Sequence, residues 1–431
     1  MEIEQALSAL LDEVAPVNEI ETVPLHEATG RVLAEGVTAP FAVPHFPKAA
    51  MDGYAVKAET VKAATKENPV RLKVVGEMLA GDAGYVNVPN EIDTVDGEGV
   101  SAGSDNSDGG LTKALDNCAV RIMTGACVPE DFDAVVKQED TDYGETEALI
   151  YKGVEPYMNY CKVGEDIQEG SPVLAKGRRV GRTEAGVLAS LGITRVEVVR
   201  RLKVSVISTG SELVNLEEDS GISGAAPEKG KIYNSIAYTL SASLYNMGFE
   251  ADCSICADDE QRIEESIRQA LDKSDVVITT GGVSVGKKDL LPEVLDRIGA
   301  KRVFSRVNIQ PGTPTIGSVL NGKAILSLSG NPYAALVNYD LYFMPLAAKL
   351  TGCAAYLPVR ERAVLQSEYN KANSHRRFLR AKVEDGRVYL TAKAHASSVL
   401  SNLLDCNCYI DLKEETALKP GDEVTIIRLP D

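Results

Sequence analysis

The sequence predicts a multidomain α/β protein built around a doubly wound, mostly parallel sheet, with small β domains on either side. Three observations point there. From about residue 202 to 352, short apolar β-branched runs alternate with stretches of helical period, the pattern of strand–helix–strand units with right-handed crossovers. Gly248 and Gly299 stand where helix C-caps belong. The run Asp275-Val-Val-Ile-Thr-Thr280, which reads as a strand buried on both faces, breaks abruptly into Gly281-Gly-Val-Ser-Val-Gly286. A strand, a glycine turn and a helix in that order gather backbone N–H groups at one point and suit an anion such as phosphate.

Each element follows from its own pattern. Ile3, Ala6, Leu7, Leu10, Leu11 and Val14 recur at helical spacing, so residues 2–14 are expected to form an amphipathic helix. The prolines of Pro40-Phe-Ala-Val-Pro-His-Phe-Pro47 mark a linker. Short β-type runs from residue 50 to about 160 predict a small β domain. Inside it, 90–116 is acidic and rich in Gly and Ser, which predicts a solvated insertion open to proteolysis. A helix is expected over 182–191, ending at Gly192. The central domain reads as strands 203–207, 249–257, 275–280 and 302–309, a hairpin 315–320 with 323–328, and helices 235–247, 259–272, 287–298 and 333–350. Residues 357–431 return to strands and turns, a small barrel or sandwich. The expected division is 1–48 with 162–200, then 49–161, 201–352 and 353–431.

Composition narrows the function. A net charge of −18 argues against nucleic acid, whose binding rests on Lys and Arg. No run of about 18 apolar residues exists, so no membrane span is predicted. The opening Met-Glu-Ile-Glu-Gln lacks a basic and apolar leader pattern, so a cytoplasmic protein is expected. Cys253 and Cys256 fall three apart on a strand and face opposite sides, which is poor geometry for one metal.

The candidate chemistry lies in turns. Turns after Thr209, Thr280 and Leu328 leave the carboxyl ends of strands, where open α/β sheets bind ligands. Acidic residues stand at or beside turns: Asp52, Asp166, Glu212, Asp258 and Asp289. Each has a plain alternative, since Asp258 or Asp259 could cap a helix, Asp289 complement a helix dipole, and Asp52 serve a turn. Together, Glu212, Asp258 and Asp289 fall on the strand-end edge with the glycine loop. A hard divalent cation bridging them to a substrate phosphate would make sense of that grouping. Arg306 is a candidate anion clamp. The glycine loop matches neither the Walker pattern nor G-x-G-x-x-G.

Nearly the whole length resembles the molybdopterin molybdotransferases, the bacterial MoeA proteins and the E domain of gephyrin. The resemblance rests on Met51-Asp-Gly-Tyr-Ala55, Arg121-Ile-Met-Thr-Gly-Ala126, Val128-Pro-Glu130 and Gly164-Glu-Asp-Ile167. It continues through Ala189-Ser-Leu-Gly-Ile193, Ser208-Thr-Gly-Ser-Glu-Leu213, Gly281-Gly-Val-Ser-Val-Gly286, Pro311-Gly-Thr-Pro314 and Gly330-Asn-Pro332. It implies an elongated, L-shaped chain that dimerises, with active sites shared between chains and a central domain like the molybdopterin adenylyltransferase, a possible contact. The implied reaction inserts molybdate into adenylylated molybdopterin, releasing AMP, with Mg²⁺ assisting. The functional acids it implies are Asp52, Asp166, Glu212, Asp258 and Asp289, with Thr124, Arg380 and Ser397. The implied ligand cradle adds Gly281, Gly282, Ser284, Gly286, Pro311, Pro314, Gly330, Asn331 and Pro332.

Several positions depart from the pattern. Thr313 replaces a lysine, Ser329 a proline, Ser211 and Asn234 aspartates, and Ala49 a serine. Gln310, Cys161 and Val163 stand where basic residues are common. Because positive charge is lost, the alternative is a paralogue that binds molybdopterin without turnover, or one selective for tungstate.

Overall fold

The structure, a computed structural model, describes residues 1–82, 91–92, 100–101, 115–216, 224–283, 290–371, 373–391 and 396–429. Contacts divide the chain into two compact units. One holds residues 1–36, 175–189 and 193–431, the other 37–174 and 190–192.

The smaller unit is a five-stranded sheet in the order Glu147–Ile150, Val70–Met78, Cys118–Ile122, Gly53–Val56 and Ala134–Lys137. Alternate residues feed separate clusters: Tyr54, Val56 and Val136 pack into one, Ala55 and Val135 into another. Both faces are therefore covered, as the period of two requires. Gly53 pairs with Ile122, and this register places Asp52 beside the turn that carries Thr124. Most of the insertion, and so the expectation of proteolysis there, lies outside the described residues. Its Glu91–Ile92 and Val100–Ser101 pair antiparallel.

The larger unit opens with the helix Ile3–Asp12, which buries Ile3, Ala6 and Leu10. Its central sheet runs Glu250–Cys256, Lys203–Thr209, Val276–Thr280, Lys323–Leu328, Ile316–Leu320, Lys301–Ser305. The first four are parallel; the last two are antiparallel additions at one edge. Val276 and Ile278 pack into one cluster with Leu240 and Phe343, while Val277 joins Ile263, Ile267 and Leu295 on the other face. Helices thus cover both faces of the sheet, the doubly wound arrangement the sequence predicts. Gly248 and Gly299 follow their helices at φ +82° and +80°.

Three details differ from expectation. The strand expected over 302–309 ends at Ser305, because Arg306 adopts φ +64° and its N–H donates to Thr315 O at 3.1 Å. Ile309–Gln310 then pairs parallel with Arg376–Arg377 in another sheet. The helix expected over 333–350 is interrupted by a π-helical turn, Tyr339–Phe343, between Pro332–Asn338 and Met344–Thr351. Of the helix expected over 287–298, the described part is Leu291–Arg297.

The C-terminal strands close into a small barrel. Arg376–Glu384, Arg387–Leu390, Arg360–Leu365, Glu423–Arg428 and Cys408–Leu412 follow one another, and the last pairs back with the first. Leu365, Leu379, Val388, Ile410 and Ile426 fill it. Among the described residues no helix is long and apolar enough to cross a membrane. Cys253 is exposed and Cys256 buried, as opposite faces of a strand require.

Candidate active site

Three neighbouring parallel strands, Lys203–Thr209, Glu250–Cys256 and Val276–Thr280, end side by side, and hydroxyls tie the ends of the first and third together. Thr280 Oγ1 donates to Ser208 Oγ at 3.0 Å, and Thr209 Oγ1 donates to the Thr280 carbonyl at 3.2 Å. Beyond them lies a cavity of about 450 Å³. Its walls include Thr209, Gly210 and Glu212 after the first strand, Asp258 after the second, and Thr280, Gly281, Gly282 and Val283 after the third. Ser329, Gly330, Asn331 and Pro332 close it with Pro314, and Ile232, Tyr233 and Asn234 form a further wall.

The glycine turn is set by crowding as much as by conformation. Gly281 has φ +92°, and a Cβ there would stand 2.6 Å from the Thr209 carbonyl oxygen. Gly282 follows at φ +65°. Only a chain without side chains turns this tightly against the neighbouring strand end, leaving backbone to line the cavity.

The two carboxylates of the cavity are held differently. Asp258 Oδ2 accepts from both the N–H and the hydroxyl of Ser211, at 3.1 and 2.9 Å. Of the two residues considered for the helix cap, Asp258 and Asp259, the cap is Asp259, whose carboxylate accepts from Arg262 N–H at 3.0 Å. Glu212 is exposed, with its backbone carbonyl taken by Ile232 N–H at 2.9 Å. Among the described residues no three acidic, histidine or cysteine side chains group for a metal. Two carboxylates on one cavity wall still fit Mg²⁺, which keeps waters and takes substrate oxygens as further ligands.

Other candidates fall in several places. Ser284, Gly286 and Asp289 lie outside the described residues. Arg306 is exposed and is not among the residues lining the cavity. Pro311 also stands apart from the lining, although Pro314 joins it. Arg380 is fully buried. Its guanidinium donates to the carbonyls of Val399 and of Ala396 (3.0 Å) and lies 4.0 Å from the centre of the Tyr333 ring. The Ser397 carbonyl accepts from Tyr333 N–H at 3.0 Å, in the first turn of the helix that carries Pro332. Arg380 and Ser397 thus hold the loop and helix behind the cavity wall.

In the smaller unit, Asp52 Oδ1 accepts from the N–H and hydroxyl of Thr124, at 2.8 and 2.7 Å. Those two bonds hold its carboxyl below the usual range. Asp166 is exposed, with its N–H donating to Val43 O at 3.0 Å.

The departures noted in the sequence have local roles. Ser211 anchors Asp258. Asn234 caps the helix Ser235–Asn246, accepting from Ala237 N–H at 3.3 Å. Ser329 Oγ accepts from Asn331 N–H at 3.2 Å, and Thr313 hydroxyl donates to the Ile309 carbonyl. Sequence reasoning reached the turns after Thr209, Thr280 and Leu328 but did not place Ile232, Tyr233 or Asn234 in the site.

An open α/β sheet with an acid-flanked cavity at its strand ends has the form of a ligand-binding domain. Comparison with known proteins narrows the class. Residues 1–192 match the family model "MoeA N-terminal region (domain I and II)", 205–349 match "Probable molybdopterin binding domain", and 362–429 match "MoeA C-terminal region (domain IV)". A Staphylococcus epidermidis protein named molybdopterin molybdenumtransferase is 33% identical, over 99% of this chain and 94% of its own. One of the same name from Haemophilus influenzae is 31% identical, over 98% and 97%. A crystal structure of the Pyrococcus horikoshii OT3 molybdopterin biosynthesis MoeA protein superposes with a TM-score of 0.78 at 28% identity, covering 100% of both chains. The chain belongs to the molybdopterin molybdenumtransferase family.

Proposed function

We propose that this protein inserts molybdate into adenylylated molybdopterin, releasing AMP, as a step of molybdenum cofactor biosynthesis. The observation that carries the reading is the strand-end cavity, with Glu212 and Asp258 beside the backbone of Gly281–Val283. Full-length similarity to proteins named for this transferase activity supports it. The glycine turn would receive the phosphates linking pterin to adenosine. Glu212 and Asp258 would hold Mg²⁺ against them, and the ion would offset their charge and polarise a phosphoryl oxygen. Ser211 keeps Asp258 oriented for that role.

The proposal includes a homodimer in which Asp52 and Thr124 of one chain serve the cavity of the other, as the family resemblance implies. Asp166, Arg306, Pro311 and Asp289 remain proposed contributors on the same ground. The four-part division of the chain, a cytoplasmic location and a contact with the adenylyltransferase that supplies the substrate also belong to this reading.

One observation favours a binding-only paralogue: no Lys or Arg is among the described residues lining the cavity. Incubation with adenylylated molybdopterin, Mg²⁺ and molybdate decides between them. AMP release that depends on molybdate is the expected result. Substrate binding without AMP release would establish the binding-only protein, and release with tungstate alone the tungstate-selective one.

A further inference from the structure

The lining of the strand-end cavity presents two carboxylates and, among its described residues, no cationic side chain. A phosphate ester entering there meets like charge. Just outside, Lys231 begins a short strip whose Ile232–Tyr233 pairs parallel with Leu213–Val214. Ile232 N–H donates to Glu212 O at 2.9 Å and Asn234 N–H to Val214 O at 3.1 Å, so the strip is fastened to the cavity wall. Lys231 Nζ donates to the Ser211 carbonyl at 2.6 Å. Ser211 in turn donates twice to Asp258 and precedes Glu212. The ammonium is therefore bound to the residue linking both carboxylates. It is only partly exposed, and no carboxylate among the described residues forms an ion pair with it.

We propose that Lys231 is a specificity-determining residue, a cation for the phosphate-bearing part of the ligand at this cavity. An ammonium has three donors, and the Ser211 carbonyl uses one. Its charge offsets Glu212 and Asp258 and favours phosphorylated nucleotides over the uncharged nucleoside. The alternative role is a neutral latch, in which the bond to Ser211 alone matters. The inference rests on the functional reading above, and its test separates the two.

Binding of AMP, adenosine and inorganic pyrophosphate to the full-length protein is measured by calorimetry for wild type, Lys231→Arg, Lys231→Gln and Lys231→Met. Glutamine keeps an uncharged N–H donor; methionine keeps neither donor nor charge. Gln and Met are expected to weaken AMP binding by about tenfold, while Arg stays close to wild type. Adenosine affinity should be the same in all four, and added salt should weaken AMP binding less in Gln than in wild type. Wild-type affinity in Gln with a loss in Met would make Lys231 a latch and overturn the proposal. Equal affinity in all four would overturn it too. If AMP does not bind but pyrophosphate does, with the same dependence on Lys231, the nucleotide reading fails and the assignment of Lys231 stands. If neither anion binds wild type, both fail.

Discussion

Replacing Gly281 by alanine should lower stability by about 2–4 kcal/mol and remove ligand binding at the same time. The added Cβ would lie 2.6 Å from the Thr209 carbonyl oxygen and 2.8 Å from its Oγ1, at φ +92°. Backbone atoms of a central strand cannot withdraw, so either the glycine turn or the end of Lys203–Thr209 must shift. Both form the cavity. Gly299→Ala provides the comparison: φ is +80°, but no atom stands within 4 Å of the added Cβ. It should cost only the strain of the left-handed region, about 1 kcal/mol, and leave binding intact. Urea unfolding and AMP binding of the two variants check this. Equal destabilisation in both would show that crowding at Thr209 is not what fixes the turn.

Asp52→Ala and Asp258→Ala should each reduce AMP release by on the order of a hundredfold or more. Asp52 keeps two hydrogen bonds with Thr124 and Asp258 two with Ser211, all near the surface, so each variant should stay folded. Chains inactive for different reasons can then be mixed. If one chain's Asp52 serves the other's cavity, a heterodimer of the two variants contains one wholly wild-type site. Activity should return, up to half the wild-type value per dimer. Mixtures that stay inactive after confirmed subunit exchange would place each site within one chain.

The parts of this architecture that were legible in sequence are those with a period. Val276, Val277 and Ile278 read as a strand buried on both faces, and all three are buried. Ile3, Ala6 and Leu10 read as one helix face and pack as one. The break at Arg306 was hidden, since Val303, Val307 and Ile309 keep the spacing of one strand across a residue at positive φ. The π-turn was hidden for a different reason: Tyr339 to Phe343 are all buried, so no exposed face marks the change of phase. In the site, Glu212, Asp258 and the glycine turn were legible because strand ends in an open α/β sheet converge. Ile232, Tyr233 and Asn234 were not, because a two-residue ladder is too short to show any period. Arg380 was legible as a residue of interest through resemblance, but its burial under Tyr333 is a tertiary fact.

The position of bound substrate tests the central claim most directly. A crystal structure with adenylylated molybdopterin should place the linking phosphates against the backbone of Gly282 and Val283, on the side flanked by Glu212 and Asp258. The larger unit also has a cavity of about 520 Å³, lined in part by Arg179, Asp340, Tyr356 and Tyr409. Phosphates found there, or anywhere away from the strand ends, would contradict the account.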